Sequence, residues 1–179
     1  NNFMTALWII LVGILLYIIY VIKLALDLDK YKDNLLRGLA GVDAIIIKKN
    51  IVILDILGYA KEFMDKDQNL VNEAYAIRYE LNKLKPRIDN VEMRYSLQKS
   101  FDAQVALIVQ AVNRYKDLKT NMGLQSRLRE LETLENAQNE KLVFYNDAVD
   151  RMNWYINTFP SSILAQINEV KPPPPRYDR

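Results

Sequence analysis

The chain has no cysteine and no histidine. Without cysteine there is no disulfide framework, no thiolate nucleophile and no zinc–thiolate site, a composition that suits a reducing cytoplasm. Without histidine the commonest general base is missing. With it go the Ser-His-Asp arrangement, HExxH metal sites and the Glu-x-x-His pairs of di-iron bundles. Glycine and proline are sparse, 5 and 6 of 179 residues, and only Pro86 precedes Pro160. So little turn chemistry, with no alternation of strands and turns, predicts an all-α fold. The formal charge of +2 comes from interspersed acids and bases and gives no field for nucleic acid. No catalytic, cofactor-binding or metal-binding residue is assigned, and neither a nucleic acid nor a small-molecule substrate is expected.

What the chain does contain begins at its start. Residues Asn1 to Ile22 carry no charge, and Phe3–Ile22 are almost wholly apolar, long enough for the roughly 20 helical residues that span a bilayer. Trp8 at one end, Tyr17 and Tyr20 at the other, and Lys23 just beyond suit interfacial anchoring. A cleaved signal peptide would want a basic start, a shorter apolar core and a small-residue cleavage site. Residues 1–26 are therefore read as a retained transmembrane anchor and the lipid bilayer as a partner. Lys23, Lys30, Lys32 and Arg37 follow the span and no basic residue precedes it. That asymmetry predicts an N-terminus outside and a cytoplasmic C-terminal domain.

From Leu24 to about Met64 the pattern favours helix, although Gly38, Gly41 and Gly58 weaken it and Ile45–Leu54 is β-branched enough to read as a strand. Helix is preferred because no partner strand exists elsewhere. Too many apolar residues occur between Ile45 and Leu57 for one face. Either this helix is buried between two neighbours, or Ile46, Ile47, Ile51, Ile53 and Leu54 serve self-association or the membrane surface. Asp65, Asp67 and Asn69 predict a break and an N-cap. Leu70, Ala74, Ile77, Leu81 and Leu84 then form one stripe, ended by Pro86. A further stripe runs through Leu97, Phe101, Val105, Ile108, Val112, Tyr115 and Leu118, with Asn121-Met122-Gly123 as its stop. The last helix keeps a seam at Leu124, Leu128, Leu131, Leu142, Tyr145, Val149, Met152, Ile156 and Phe159. Glu135 and Gln138 interrupt it, a pattern that usually fixes helix register. Lys171–Arg176 is extended polyproline. In isolation it reads as a solvated tail, or as a ligand for a proline-recognising partner; an extended tail orders when it lies on another surface, and Pro173 and Pro174 are read as packing on a neighbouring subunit.

The segment Leu134-Glu135-Asn136, then Tyr145-Asn146-Asp147-Ala148-Val149, Asn153, Ile156, Phe159-Pro160-Ser161, Ile163 and Ala165 closely resembles the LemA family signature. That signature is a Glu-Asn pair, a Tyr-Asn-x-x-Val stretch, a second Tyr-Asn and a Phe-Pro terminus. Gly58-Tyr59-Ala60-Lys61-Glu62 resembles the family's glycine-tyrosine motif. Ala137 and Met152 depart from the pattern, standing where the family has arginine and the second tyrosine. The resemblance implies a single-pass bacterial membrane protein with an elongated antiparallel helical cytoplasmic domain, and it brings no enzymatic activity with it. Physically the motif reads as architecture. Tyr145 faces the seam, the Asn146 and Asn153 amides bridge helices, Phe159 closes the core and Pro160 stops the helix. The alternative is a binding groove built from Glu135, Asn136, Tyr145 and Asn146.

The sequence thus predicts three parts. Residues 1–26 form the anchor, 27–168 an elongated antiparallel bundle of three to four long helices, and 169–179 a proline-rich tail. The expected function is a non-enzymatic membrane-anchored scaffold that forms a homo-oligomer at the bacterial inner membrane. An adaptor for another membrane protein, such as a protease or signalling component, is the alternative. A carboxylate-only metal-binding bundle using Glu130, Glu132, Glu135 and Glu140 is a remote third.

Overall fold

The computed structural model describes residues 2–178. It contains six α-helices and no strand among the described residues: α1 (Asn2–Phe63), α2 (Gln68–Lys83), α3 (Val91–Val112), α4 (Lys116–Lys119), α5 (Met122–Asn157) and α6 (Ser161–Ile167). Single 3-10 turns at Asp65–Asp67 and Ile88–Asn90 precede α2 and α3. The β-branched stretch in α1 is helical, as the lack of a partner strand requires, and three glycines do not interrupt it. The helix α1 is long and apolar enough to cross a membrane. Its uncharged run is exposed along almost its whole length, Trp8, Tyr17 and Tyr20 included, and Lys23 just beyond it is exposed too.

The chain divides into two compact units, one made of the chain up to Arg37 with Asp147–Pro173, the other of Gly38–Asn146 with the chain from Pro174 onward. The second unit holds the larger core. It joins Ile53, Ile56 and Leu57 of α1, Val71 and Ala74 of α2, Phe101, Val105 and Ile108 of α3, Leu118 of α4, and Leu124 and Leu131 of α5. Paired residues set the helix senses. Asp43 meets Arg94 and Lys49 meets Asp102, so α1 and α3 run together here. Lys49 meets Gln138 and Asp55 meets Arg127, so α5 runs against both. Gln104 Nε2 donates to Leu70 O at 3.0 Å and Arg114 pairs with Asp67, so α2 opposes α3.

The first unit holds a small core of Leu24, Leu28, Met152, Tyr155 and Ala165, with Tyr31, Ile156, Leu164 and Val170 against it. The Tyr155 hydroxyl donates to Leu24 O at 2.6 Å, and Ser161 Oγ donates to Tyr155 O at 2.7 Å. The start of α6 is thereby fixed on the end of α5.

Three local expectations need correcting. Asp67 occupies the N-cap position of α2 but its side chain makes no capping bond. Its carboxylate accepts from the Tyr115 hydroxyl at 2.6 Å and pairs with Arg114, contacts that hold its pKa below the usual carboxylate range. Gln68 instead closes the turn, its amide donating to Met64 O at 2.6 Å. Gly123 is not a helix stop: α3 ends at Val112, and Gly123 lies in the first turn of α5, where a β-carbon would collide with the Tyr59 hydroxyl. The cap there is Asn121, whose Oδ1 accepts from Leu124 N at 2.9 Å. Phe159 does not close the core. Pro160 forces the chain out of α5 before it, and the ring is 77% exposed.

Two helical glycines should respond oppositely to alanine. A β-carbon at Gly58 meets nothing within 4 Å, whereas one at Gly38 would lie 3.0 Å from the Tyr145 backbone. Gly58→Ala should stabilise the detergent-solubilised protein by about 1 kcal/mol through lower unfolded-chain entropy and better helix propensity. Gly38→Ala should lose that gain and fall below the parent in urea unfolding followed by circular dichroism.

Candidate functional site

The most polar point in the larger core is Lys49, 1% exposed. Its place is dictated by period: Val42, Lys49, Val52, Ile53 and Ile56 fall on one face of α1, so the lysine must enter the core with them. The ammonium donates to Asp102 Oδ2 at 2.6 Å and to Gln138 Oε1 at 2.7 Å. Gln98 Nε2 donates to Asp102 Oδ1 at 2.9 Å and to Asn50 Oδ1 at 3.0 Å, and Asn50 returns a bond to Gln98 Oε1. Three helices are tied by one network of side-chain bonds, which fixes register rather than presenting a reactive group. The polar interruption at Gln138 is thus a cross-helix contact. Glu135 is half-buried beside a shallow hollow bordered by Ile53, Asp102 and Leu128. Among the described residues no three acidic side chains converge on a point that would hold a metal ion. Of the four glutamates considered for one, Glu130 pairs with Arg127 at 2.6 Å.

A second constellation surrounds the C-terminal segment. Tyr177 is buried against Tyr95, ring centroids 4.7 Å apart and 72° between planes, and Tyr95 meets Tyr145 edge-on at 5.9 Å. These are the edge-to-face geometries that aromatic quadrupoles favour. The Asn146 amide grips the Tyr177 backbone from both sides, donating to its carbonyl at 3.1 Å and accepting from its N–H at 2.9 Å. The Tyr145 hydroxyl donates to Pro175 O at 2.7 Å, and the Lys99 ammonium donates to Asp178 O. Below the rings Arg94 pairs with Asp43 at 2.9 Å and lies 5.7 Å from the Tyr95 ring centroid. The Tyr95 hydroxyl is buried without a hydrogen-bond partner.

The tail therefore lies on its own chain. The contacts made by α3 and α5 fall on Pro175, Tyr177 and Asp178, while Pro173 and Pro174 are half-buried. The motif residues also separate. Tyr145 and Asn146 hold the tail, while Glu135 and Asn136 lie about 15 Å away along the same helix at 1.5 Å per residue, so the four form no common groove. Asn136 and Asn153 are exposed, and the Asn153 backbone carbonyl accepts from the Asn157 amide at 2.8 Å. Pro160 is half-buried at the start of α6. Tyr95, Tyr177, Lys49, Arg94 and Asp43 were not singled out in the sequence. Only Lys49 carried a readable signal there, its spacing on an apolar face.

The five apolar residues of α1 proposed for association divide between two faces. Ile53 is fully buried in the core, which removes it from any surface. Ile46 is half-buried. Ile47 and Ile51 are 56% and 61% exposed and Leu54 is 36% exposed. Together with exposed Ala40, Ala44 and Gly58 they make a stripe at steps of four and three along the side of α1 opposite the core.

Against known families, the LemA family model matches residues 38–175. No curated protein matches the chain.

Two outcomes follow from this geometry. Lys49→Ala should cost about 2–3 kcal/mol in urea unfolding, at or below the low end for a broken buried pair because Asp102 remains 26% exposed. Lys49→Met combined with Asp102→Leu should recover most of that loss. Burial and then the Asp43 charge push the Tyr145 phenol from 10.0 up to about 12, with Arg94 opposing, and burial raises Tyr95 further in the same direction. A raised phenol favours the folded state below the unfolded pKa, so Tyr145's contribution is complete below pH 10 and disappears between pH 10 and about 12. Absorbance at the phenolate band should show late-titrating tyrosines over that window, coincident with loss of near-ultraviolet dichroism. Tyr145→Phe should remove one of them.

Proposed function

The chain belongs to the LemA family, and from that premise we propose that it is a non-enzymatic scaffold anchored in the bacterial inner membrane by one span and self-associating there. The exposed α1 stripe of Ala40, Ala44, Ile47, Ile51, Leu54 and Gly58 carries this reading. It has the four-and-three spacing of a helix–helix seam, with small residues at its ends that allow close approach, and it occupies the helix side that its own core leaves uncovered. A second copy supplies a matching stripe, and two-fold pairing places the same residues against each other. The exposed uncharged run ahead of it supports the anchor. Lys23, Lys30, Lys32 and Arg37 after that run support a cytoplasmic domain. A helical bundle whose buried lysine is bonded to its own helices, with no metal-holding acidic cluster among the described residues, fits a scaffold better than an enzyme.

The adaptor reading assigns the same stripe to a helix of another membrane protein. With the tail held by Tyr145 and Asn146, the stripe rather than the polyproline segment would be the surface presented.

Light scattering of full-length protein in mild detergent should give a protein mass of at least twice 20.9 kDa. Ile51→Glu should shift it toward the monomer, since losing one buried isoleucine removes about 1.5–3 kcal/mol, tenfold or more in association constant. A monomer at all concentrations would sink self-association. A single Ile51→Cys in this cysteine-free chain should oxidise to a self-adduct in membranes; an adduct with another protein alone would favour the adaptor.

A further inference from the structure

We propose that α6 and the turn before it are an interfacial foot, with Ile163 and Ile167 on the outer face of α6 and Phe159 in the turn resting in the lipid headgroup region beside the point where α1 leaves the bilayer. The proposal rests on the anchor reading above and deepens it. These three residues follow one another at steps of four and are 77%, 47% and 71% exposed. The opposite face of α6, through Ser161, Leu164 and Ala165, is fastened to the small core around Leu24, Leu28 and Tyr155. So short a helix, apolar on both sides, has no need of its outer face for folding.

Its position supplies the partner. Arg151 and Trp154 lie beside Tyr31, and Tyr155 bonds to the Leu24 carbonyl, so this part of α5 runs toward the N-terminal end of α1. Phe159 lies in the turn just after α5 ends at Asn157, within a few residues of Tyr155. That level on α1 is where the uncharged run ends, at Ile22 and Lys23. A side chain there meets the interface, where aromatic rings and apolar helix faces parallel to the membrane partition favourably. Lys23, next to Leu24 on α1, and Lys171, next to Val170 of the same small core, add cationic charge for anionic headgroups. The occupant is therefore lipid, continuous with the lipid around the span.

The absence of cysteine makes the test clean. Phe159→Cys, Ile167→Cys, Leu15→Cys within the span and Glu132→Cys on exposed α5 can each carry a nitroxide. The labelled full-length chains are reconstituted into phosphatidylethanolamine–phosphatidylglycerol vesicles, and collision with oxygen is compared with collision with a water-soluble nickel chelate. The expected result is an oxygen-to-nickel ratio at Phe159 and Ile167 several-fold above that at Glu132 and below that at Leu15. If Phe159 and Ile167 match Glu132 while Leu15 reads as lipid, the foot is overturned and the anchor stands. If Leu15 also matches Glu132, the anchor fails and the foot with it. Labels at Phe159 and Ile167 shielded from both agents, with dipolar broadening, would place a second copy on this face and overturn the proposal.

Discussion

The pairing of Lys49 with Asp102 and Gln138 is the constraint from which most of the larger unit follows. A buried ammonium is tolerated only when its donors are met, and the partners here come from α3 and α5, so all three helices are held at one register. Once Lys49 is inside, the 100° step of an α-helix settles its neighbours. Val52, Ile53 and Ile56 turn inward, and Ile47, Ile51 and Leu54 turn outward. A one-residue rotation of α1 would reverse much of that division and strand the charge. The outward stripe that supports the scaffold reading is thus the counterpart of the inward network.

The tyrosines at the tail form a different kind of joint. Tyr95 and Tyr145 offer ring edges and faces, Asn146 offers one donor and one acceptor, and the backbone around Tyr177 uses both. Backbone recognition of this sort captures an extended segment with few side chains, and the prolines upstream lower the entropy lost on docking. The Tyr95 hydroxyl has no hydrogen bond, a cost borne where three rings pack edge to face. Residues that resemble a family signature, Tyr145 and Asn146, are in this chain the clasp of its own C-terminus.

The smaller unit gathers the start of α1 beyond the apolar run, the end of α5 and all of α6 around one buried phenol, Tyr155. Its apolar exterior and the exposed stripe of α1 are separate surfaces with separate proposed occupants, lipid for one and a second copy for the other. Both arise because the chain holds 50% hydrophobic residues while its long helices own only one inward face each.

Composition and period alone determined that the chain is helical, that it begins with a bilayer-length uncharged run, and that histidine- and cysteine-based chemistry is absent. These are local or additive properties, readable without knowing which helix touches which. The same reading placed Asp67 at the helix start but not its bond to Tyr115, and it misplaced Gly123 and Phe159, because a cap's partner, a stop and a core end depend on Tyr115, Tyr59 and the redirected chain at Pro160. It also left the Asn146 clasp on Tyr177 unseen, since nothing in a proline run specifies that an amide some 30 residues earlier will hold the backbone after it. Only the tertiary structure decided which isoleucines of α1 face the core and which face outward. An apolar helix surface wider than one stripe admits several rotations, and the burial of one lysine against partners on other helices selects among them.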